Sequence, residues 1–237
     1  MKIRAGRRAL LGALASLLTA CGGAAHTPDC PAQAEGAATD PWRAAMEDAA
    51  VIEADEVRPL TPITGERATV VTYTRYPDSF HANTDVQLAW GETWVTLDGD
   101  LSARCRTYAA EHVTSDVQML LGLPVKTEDR FVVTLDVATA DLFRPCASPS
   151  LAATTCDAAV TADTPVEHAA WYARQTATAY QLPAGFPWTR LGYTYDWHTA
   201  DGQAAEVGLN ELVIKKGASA RVISVVPTAA YCAPAGS

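Results

Sequence analysis

The sequence contains none of the short motifs that mark the common catalytic sites. It has no G-x-S-x-G or S-x-x-K nucleophile motif, no phosphate-binding Walker loop and no dinucleotide fingerprint. It also has no C-x-x-C pair and no pair of histidines with the spacing of a zinc-binding helix. We therefore expect no metal ion and no cofactor, and we favour a non-catalytic protein over an enzyme.

Basic residues are scarce, and so are long apolar runs. The chain has 18 Lys and Arg residues against 27 Asp and Glu residues, a formal net charge of −9. Four of the basic residues and none of the acidic ones lie in the first 20 positions, so cleavage there leaves 14 basic against 27 acidic residues, a net charge of −13. Such a surface repels phosphate backbones, and we expect no nucleic-acid partner. No run approaches the roughly 20 apolar residues that span a bilayer.

The N-terminus has the pattern of an export signal. Four basic residues precede a short apolar run at 9–18, which ends in Leu18-Thr19-Ala20-Cys21. This ending resembles the bacterial lipobox, and the resemblance implies cleavage before Cys21 and lipidation of Cys21. The alternative is an ordinary signal peptide with a soluble product. Because residue 22 is Gly rather than Asp, similarity to Gram-negative lipoproteins implies the outer membrane, facing the periplasm or the cell surface.

The composition predicts one globular domain behind a tether. Hydrophobic residues make up 49% of the chain and charged residues 19%, as in ordinary folded proteins. We divide the chain into a signal peptide at 1–20, a flexible tether with a short helix at 21–52, and a single α+β domain at 53–237. Export by the general or the twin-arginine route stays open.

The cysteines predict disulfides. An exported chain occupies a compartment where disulfides form and persist. Cys146 and Cys156 flank a turn-rich segment and are expected to close a local loop, which leaves Cys105 to pair with Cys232. Four cysteines allow three pairings, so the connectivity stays open at this stage. Cys30 is left free or paired elsewhere.

Hydrophobic periodicity predicts an α+β fold. Two main helices are expected at 99–122 and 164–182, the second with Thr164 as N-cap and a capping box completed by Glu167. A short helix is expected to begin at Pro41 with Asp40 as its N-cap. Alternating and β-branched segments predict a mainly antiparallel sheet with the two helices packed on one face. The last three strands, at 189–198, 205–214 and 220–226, are expected to form a C-terminal three-stranded meander.

Several phrases resemble a group of uncharacterised secreted bacterial proteins. The resemblance spans about residues 60–232 and implies one exported domain, but it implies no activity, cofactor or substrate. The phrases that carry it are WVT at 94–96, LGLP at 121–124, LFRPC at 142–146, PWTRLGYTYDW at 187–197 and GLNE at 208–211.

A hairpin turn at Asp201-Gly202 fixes a register for the two strands that it joins. In a two-residue turn the numbers of paired residues sum to 403, so His198 faces Ala205, Asp196 faces Val207 and Gly192 faces Glu211. Glu211 then lies on a largely apolar side of its strand, where a carboxylate needs a partner. Its diagonal neighbour Arg190 is the expected partner. The candidate polar site therefore comprises Arg190, Asp196, His198 and Glu211.

This site has two interpretations. As a functional pocket, Glu211 acts as a general base or Arg190 holds an anionic ligand. As a structural feature, the same residues form an ion pair and an exposed hairpin end. The aromatic residues of the same hairpin have two interpretations as well, a buried core or a platform for a carbohydrate or peptide. We expect these residues to belong to the core: Trp188, Tyr193, Tyr195 and Trp197.

The favoured hypothesis is a lipid-anchored cell-envelope protein that acts as a non-catalytic binding or interaction module. Its partners are then the membrane, through the lipid, and an unidentified envelope ligand or protein. One alternative is an envelope hydrolase that uses Asp196, His198 and Glu211. Another is a purely structural envelope component.

Overall fold

An antiparallel sheet of eight strands organises the described part of the chain, residues 40–200 and 203–234 of a computed structural model. The strand order is β2-β8-β4-β1-β3-β7-β5, with β6 paired to β7. The predicted signal peptide, residues 21–39 of the predicted tether with Cys21 and Cys30, and the Asp201-Gly202 turn lie outside the described residues. The strands are β1 (Arg67–Thr74), β2 (Asp85–Gln87), β3 (Thr93–Leu97), β4 (Phe131–Ala138), β5 (Leu142–Phe143), β6 (Tyr193–Ala200), β7 (Gln203–Ile214) and β8 (Ser219–Pro227).

The longer helices after β3 pack on one face of the sheet, as the α+β prediction requires. Leu101, Val117 and Leu120 contact Val71 and Leu209 there, and a second cluster joins helix α4 to the sheet. No helix among the described residues is long and apolar enough to cross a membrane. The helices are α1 (Pro41–Ala49), α2 (Asp98–Cys105), α3 (Val113–Leu120), α4 (Val166–Ala179) and α5 (Thr228–Tyr231).

Two helix predictions are corrected and one is confirmed. The expected single helix at 99–122 is two helices, α2 and α3, with turns between them. Helix α4 begins at Val166 with Pro165 at its N-cap and no side-chain cap, and the Thr164 hydroxyl instead accepts from the N–H of Thr161 and donates to the carbonyl of Ala147. Helix α1 begins as predicted, with the Asp40 carboxylate accepting from the N–H of Trp42 at 3.1 Å.

The main apolar core lies on the other face of the sheet. It contains Val70, Leu135, Leu212 and Val222 from the strands, together with Phe80 and other residues of the loops. Strands β7 and β8 both contribute to this core, although three strands separate them in the sheet order. The sheet therefore curves around the core, in keeping with the twist of antiparallel sheets.

The three predicted C-terminal strands are present, but the last one does not continue a meander. Strand β8 pairs with β4 and β2. At its end, Val213 and Ile214, strand β7 has no free edge, because β3 and β5 both pair with these residues, while β6 pairs with the earlier part of the strand. The curvature of the sheet lets the short connection at 215–218 reach the position between β4 and β2.

The β6–β7 hairpin keeps the predicted register only in part. Thr199 faces Ala204 and Tyr193 faces Asn210, as the sum of 403 requires, but between them Asp196 faces Glu206 instead of Val207. The register shifts by one residue between Asp196 and Thr199, beside Glu206, whose φ of 61° is left-handed, and it shifts back between Tyr193 and Tyr195. The N–H of Glu211 donates to the carbonyl of Gly192 at 2.9 Å, as predicted.

Both predicted disulfides are confirmed. Cys105 is bonded to Cys232 with a Cα–Cα distance of 5.3 Å, and Cys146 is bonded to Cys156 with a Cα–Cα distance of 6.0 Å. The first joins helix α2 to the segment after α5, and the second closes a loop after β5. The two bonds therefore constrain very different lengths of chain.

We predict that removing the long-range disulfide destabilises the protein more than removing the local one. The sequence separations are 127 and 10 residues. Loop-closure entropy then gives losses of about 5 kcal/mol for Cys105→Ser with Cys232→Ser and about 3 kcal/mol for Cys146→Ser with Cys156→Ser. Denaturant unfolding of the two double variants measures the difference. Equal losses would contradict the assignment of the larger constraint to the Cys105–Cys232 bond.

Candidate functional site

The four predicted site residues do not converge on one site. The guanidinium of Arg190 donates to the carbonyls of Ala49 and Ala50, at 3.3 and 2.9 Å, and lies 5.5 Å from the ring centre of Tyr180. The predicted ion pair between Arg190 and Glu211 is therefore wrong. The reason is local, because the backbone at Arg190 is left-handed with a φ of 62° and β6 starts only at Tyr193. Arg190 instead holds the C-terminal end of helix α1.

Asp196 is a fully buried carboxylate with its partners in place. One oxygen lies 3.2 Å from Nη2 of Arg104, and the other lies 2.5 Å from Nδ1 of His198. The N–H of His198 also donates to this carboxylate at 3.1 Å. The His198 ring packs against Tyr108, with ring centres 5.3 Å apart. Asp196 thus links helix α2 to the hairpin. This role in holding the fold together agrees with the structural interpretation of Asp196 and His198.

The geometry that the hydrolase alternative needs is not found in residues 40–200 and 203–234. His198 Nε2 is buried and has no hydrogen-bond partner among the described residues. Oδ1 of Asp116 lies 3.6 Å from it. The cavity that Glu211 lines includes neither Asp196 nor His198. The hydrolase alternative therefore stays a prediction, because Asp196, His198 and Glu211 do not line one common cavity.

Glu211 lies on the helix-bearing face near the middle of the sheet. It faces Thr96 directly on β3, and Thr96 in turn faces Val71 on β1. Strands β1, β3 and β7 therefore present these three residues in one row. The Glu211 residue is only 9% exposed, which confirms that its side of the strand is buried.

The row forms the floor of a small cavity, here called the Glu211 cavity. Its volume is about 110 Å³, and its walls are mostly apolar. Helix α2 contributes Leu101, the end of the α3 segment contributes Leu121 and Leu123, and β6 contributes Thr194. The complete lining is Val71, Tyr73, Trp94, Val95, Thr96, Leu101, Leu121, Leu123, Thr194 and Glu211.

Two polar groups of the cavity have no partner among the described residues. These are Oε2 of Glu211 and Oγ1 of Thr96, which are both buried. The hydroxyl of Thr194, another lining residue, already has both hydrogen-bond partners. It donates to the carbonyl of Leu120 at 2.7 Å and accepts from the N–H of Leu209 at 2.9 Å. The cavity therefore offers one carboxyl and one hydroxyl to any molecule that enters it.

Burial raises the pKa of Glu211 well above its ordinary value of 4.5. No basic side chain lines the cavity to oppose this shift. Burial therefore favours the neutral acid over the carboxylate. The neutral acid presents one O–H donor together with acceptor oxygens. Burial also raises the pKa of Tyr73, the other titratable residue of the lining.

Sequence reasoning missed a second buried polar group, which is bonded to Asn210, the residue before Glu211 in the chain. Arg144 is fully buried, and its guanidinium donates to the carbonyl of Thr61 and to Oδ1 of Asn210, the latter at 3.4 Å. The Asn210 amide donates in turn to Asp100 at 2.8 Å. Burial lowers the pKa of Arg144, and the nearby Asp100 opposes the shift. The only sequence signal was the presence of Arg144 and Asn210 in the LFRPC and GLNE phrases.

The phrases that carry the family resemblance meet around this cavity. Seven of its ten lining residues come from the WVT, LGLP, PWTRLGYTYDW and GLNE phrases. Comparison with protein-family models, with curated proteins and with solved structures finds no match to this chain. The resemblance to uncharacterised secreted proteins therefore stays a prediction.

The pKa shift of Glu211 makes stability depend on pH. The folded pKa is raised above 4.5, so between pH 4.5 and the folded pKa the unfolded chain loses its proton while the folded chain keeps it. Stability at this site is complete below pH 4.5 and falls as the pH rises, by about 1.4 kcal/mol per pH unit. We predict that Glu211→Gln abolishes this fall and becomes the more stable protein at pH 7 to 8.

Urea unfolding of both proteins from pH 4 to pH 8 provides the measurement. Glu92→Gln, which changes an exposed carboxylate ahead of β3, is the matched control and should follow the unchanged protein. A Glu211→Gln protein that is less stable at every pH would mean that the carboxylate has a stabilising partner.

Proposed function

We propose that this protein is a lipid-anchored envelope protein that binds a small, uncharged, mostly apolar ligand in the Glu211 cavity. The observation that carries the proposal is Glu211, whose buried Oε2 has no hydrogen-bond partner among the described residues and whose side chain lines a mostly apolar cavity over β1, β3 and β7. A concave, largely apolar site with a few polar groups is the usual form of a small-molecule site.

The energetics of Glu211 favour a role in binding over a role in stability. A buried polar group without a partner costs about 1–3 kcal/mol. A Leu at this position would fill the same space without that cost, so retention of the acid is consistent with a stability–function compromise. A ligand that hydrogen bonds to Glu211 and Thr96 would satisfy both groups and remove the cost.

The size and charge of the cavity define the class of ligand. Its volume of about 110 Å³ is below that of an engineered apolar cavity of roughly 150 Å³ that binds benzene. A single six-membered ring is therefore at the upper limit of what it encloses, and a short branched chain or the end of a longer molecule fits within it. An anionic group is disfavoured because no cationic side chain lines the cavity. An alcohol, phenol, ketone or amide group matches the neutral acid of Glu211.

We predict that phenol stabilises the protein more than toluene does. The two molecules have nearly the same shape, but only phenol can hydrogen bond to Glu211. Ligand that binds only the folded state raises the melting temperature by mass action. Thermal unfolding of the full-length protein at millimolar phenol or toluene measures the two shifts.

Two variants test whether these shifts in melting temperature arise from binding in the Glu211 cavity. Glu211→Leu should lose the preference for phenol, whereas Glu92→Gln, at an exposed position, should keep it. If neither molecule raises the melting temperature of the unchanged protein, the cavity holds water and the proposed function is wrong.

The lipid anchor rests on the N-terminal sequence alone. We predict that the full chain, expressed in a Gram-negative bacterium, incorporates labelled palmitate and fractionates with the membrane. Cys21→Ser should lose both properties, because a single cysteine carries the acyl chains that hold such a protein in the bilayer. Cys30→Ser is the matched control and should retain both. Labelling that persists in Cys21→Ser would contradict the proposed anchor.

A further inference from the structure

The exposed aromatic residues point to a second site, on a different part of the sheet. All six Trp and all eight Tyr residues belong to the described part of the chain. Among them only Trp90 and Tyr76 are exposed, at 57% and 58%. Both line the same cleft, here called the aromatic cleft, which has a volume of about 390 Å³. The hairpin aromatics Trp188, Tyr193 and Tyr195 are buried, which confirms the core prediction for them, and Trp197 is half-buried.

The cleft is formed where β1 ends and β3 begins. Tyr76 follows β1 and leads into a short 3₁₀ turn at Pro77–Ser79, and Trp90 lies just before β3. The lining has only two kinds of side chain, aromatic and hydroxyl. The aromatic residues are Tyr73, Tyr76, Phe80 and Trp90, and the hydroxyl residues are Thr72, Thr74, Ser79 and Thr93.

Both exposed rings are held in place. Phe80 is buried and meets Trp90 edge to face, with ring centres 5.7 Å apart and an interplanar angle of 87°. The guanidinium of Arg75 lies 4.8 Å from the ring centre of Tyr76. The N–H of Tyr76 also donates to the hydroxyl of Thr74 at 3.0 Å. A ligand that stacks on these rings therefore meets a surface that is already ordered.

Thr93 provides a second, independent indication that the aromatic cleft is a binding site. Its residue is 8% exposed, and its Oγ1 is buried with no hydrogen-bond partner among the described residues. Because this side chain lines the cleft, a bound molecule with a hydroxyl or amide group can satisfy it.

We propose that the aromatic cleft binds a neutral hexopyranose unit of an oligosaccharide. A pyranose ring has apolar C–H faces that pack on aromatic rings, and hydroxyl groups around its edge that bond to threonine and serine hydroxyls. The lining contains no Asp, Glu, Lys or Arg, which matches an uncharged sugar. The excess of acidic over basic residues in the chain also disfavours an anionic glycan.

This inference is independent of the Glu211 cavity. Tyr73 lines both sites, but the cleft depends on Trp90, Tyr76 and Thr93, and none of these three lines the Glu211 cavity. Either site can therefore be correct while the other is wrong.

Isothermal titration of the full-length protein with cellohexaose, chitohexaose and maltohexaose tests the proposal. We expect binding of at least one of the three at millimolar or lower concentration. Trp90→Ala and Tyr76→Ala should each weaken that binding at least tenfold with little change in melting temperature, because both side chains are largely in solvent. Val166→Ala, which truncates another exposed apolar side chain, is the control and should bind as the unchanged protein does.

Thr93→Val separates a role in binding from a role in folding. The substitution keeps the shape of the side chain and removes a hydroxyl that has no partner in the free protein. It should leave the melting temperature unchanged or raise it, while sugar affinity falls about threefold to tenfold. No binding to any of the three sugars, or binding that survives Trp90→Ala, would overturn the proposal. Binding of a proline-rich peptide in place of the sugars would overturn the assignment of ligand class.

Discussion

Strand β7 is paired along both of its edges, and most of the architecture depends on that pairing. Its even-numbered residues Leu212 and Ile214 enter the main core, while Glu211 and Val213 face the helices. Because β3, β5 and β6 occupy its edges, the chain after Ile214 has to pair elsewhere, which places β8 between β4 and β2. The same arrangement positions Thr96 opposite Glu211 and gives the Glu211 cavity its floor.

Two buried carboxyl groups of one hairpin illustrate the difference between a structural and a candidate functional residue. Asp196 is fully buried and is held by Arg104 and His198. Glu211 is almost as buried, yet its Oε2 has no partner in the described structure, and its side chain lines a cavity. Burial alone therefore does not distinguish the two residues; their hydrogen-bond partners do. The same criterion distinguishes Thr93, in the aromatic cleft, from the satisfied Thr194.

Local patterns predicted much of the fold. Alternation and β-branched residues located the sheet, proline located the start of helix α1, and the predicted export together with the turn-rich segment between Cys146 and Cys156 favoured the two disulfides that the structure shows. The failures arose where one residue changed the backbone locally. The left-handed conformation of Arg190 lies just before β6, where that side chain was expected to pair with Glu211, and that of Glu206 lies beside the shift in the hairpin register. No pattern of apolar residues signals such a conformation. The helix predicted at 99–122 is too long, because the spacing of its apolar residues continues through the turns that separate α2 from α3.

The sequence by itself determined the class of fold and the burial of Glu211, because each depends on composition and on short-range spacing, whereas it favoured one pairing of the cysteines without fixing it. Only the tertiary structure decided that Arg190 caps helix α1, that Glu211 is left without a partner, and that Tyr76 and Trp90 share a cleft. These outcomes depend on the curvature of the sheet and on which strand pairs with β7. Both are set by contacts between residues far apart in the chain, which periodicity within a segment does not encode.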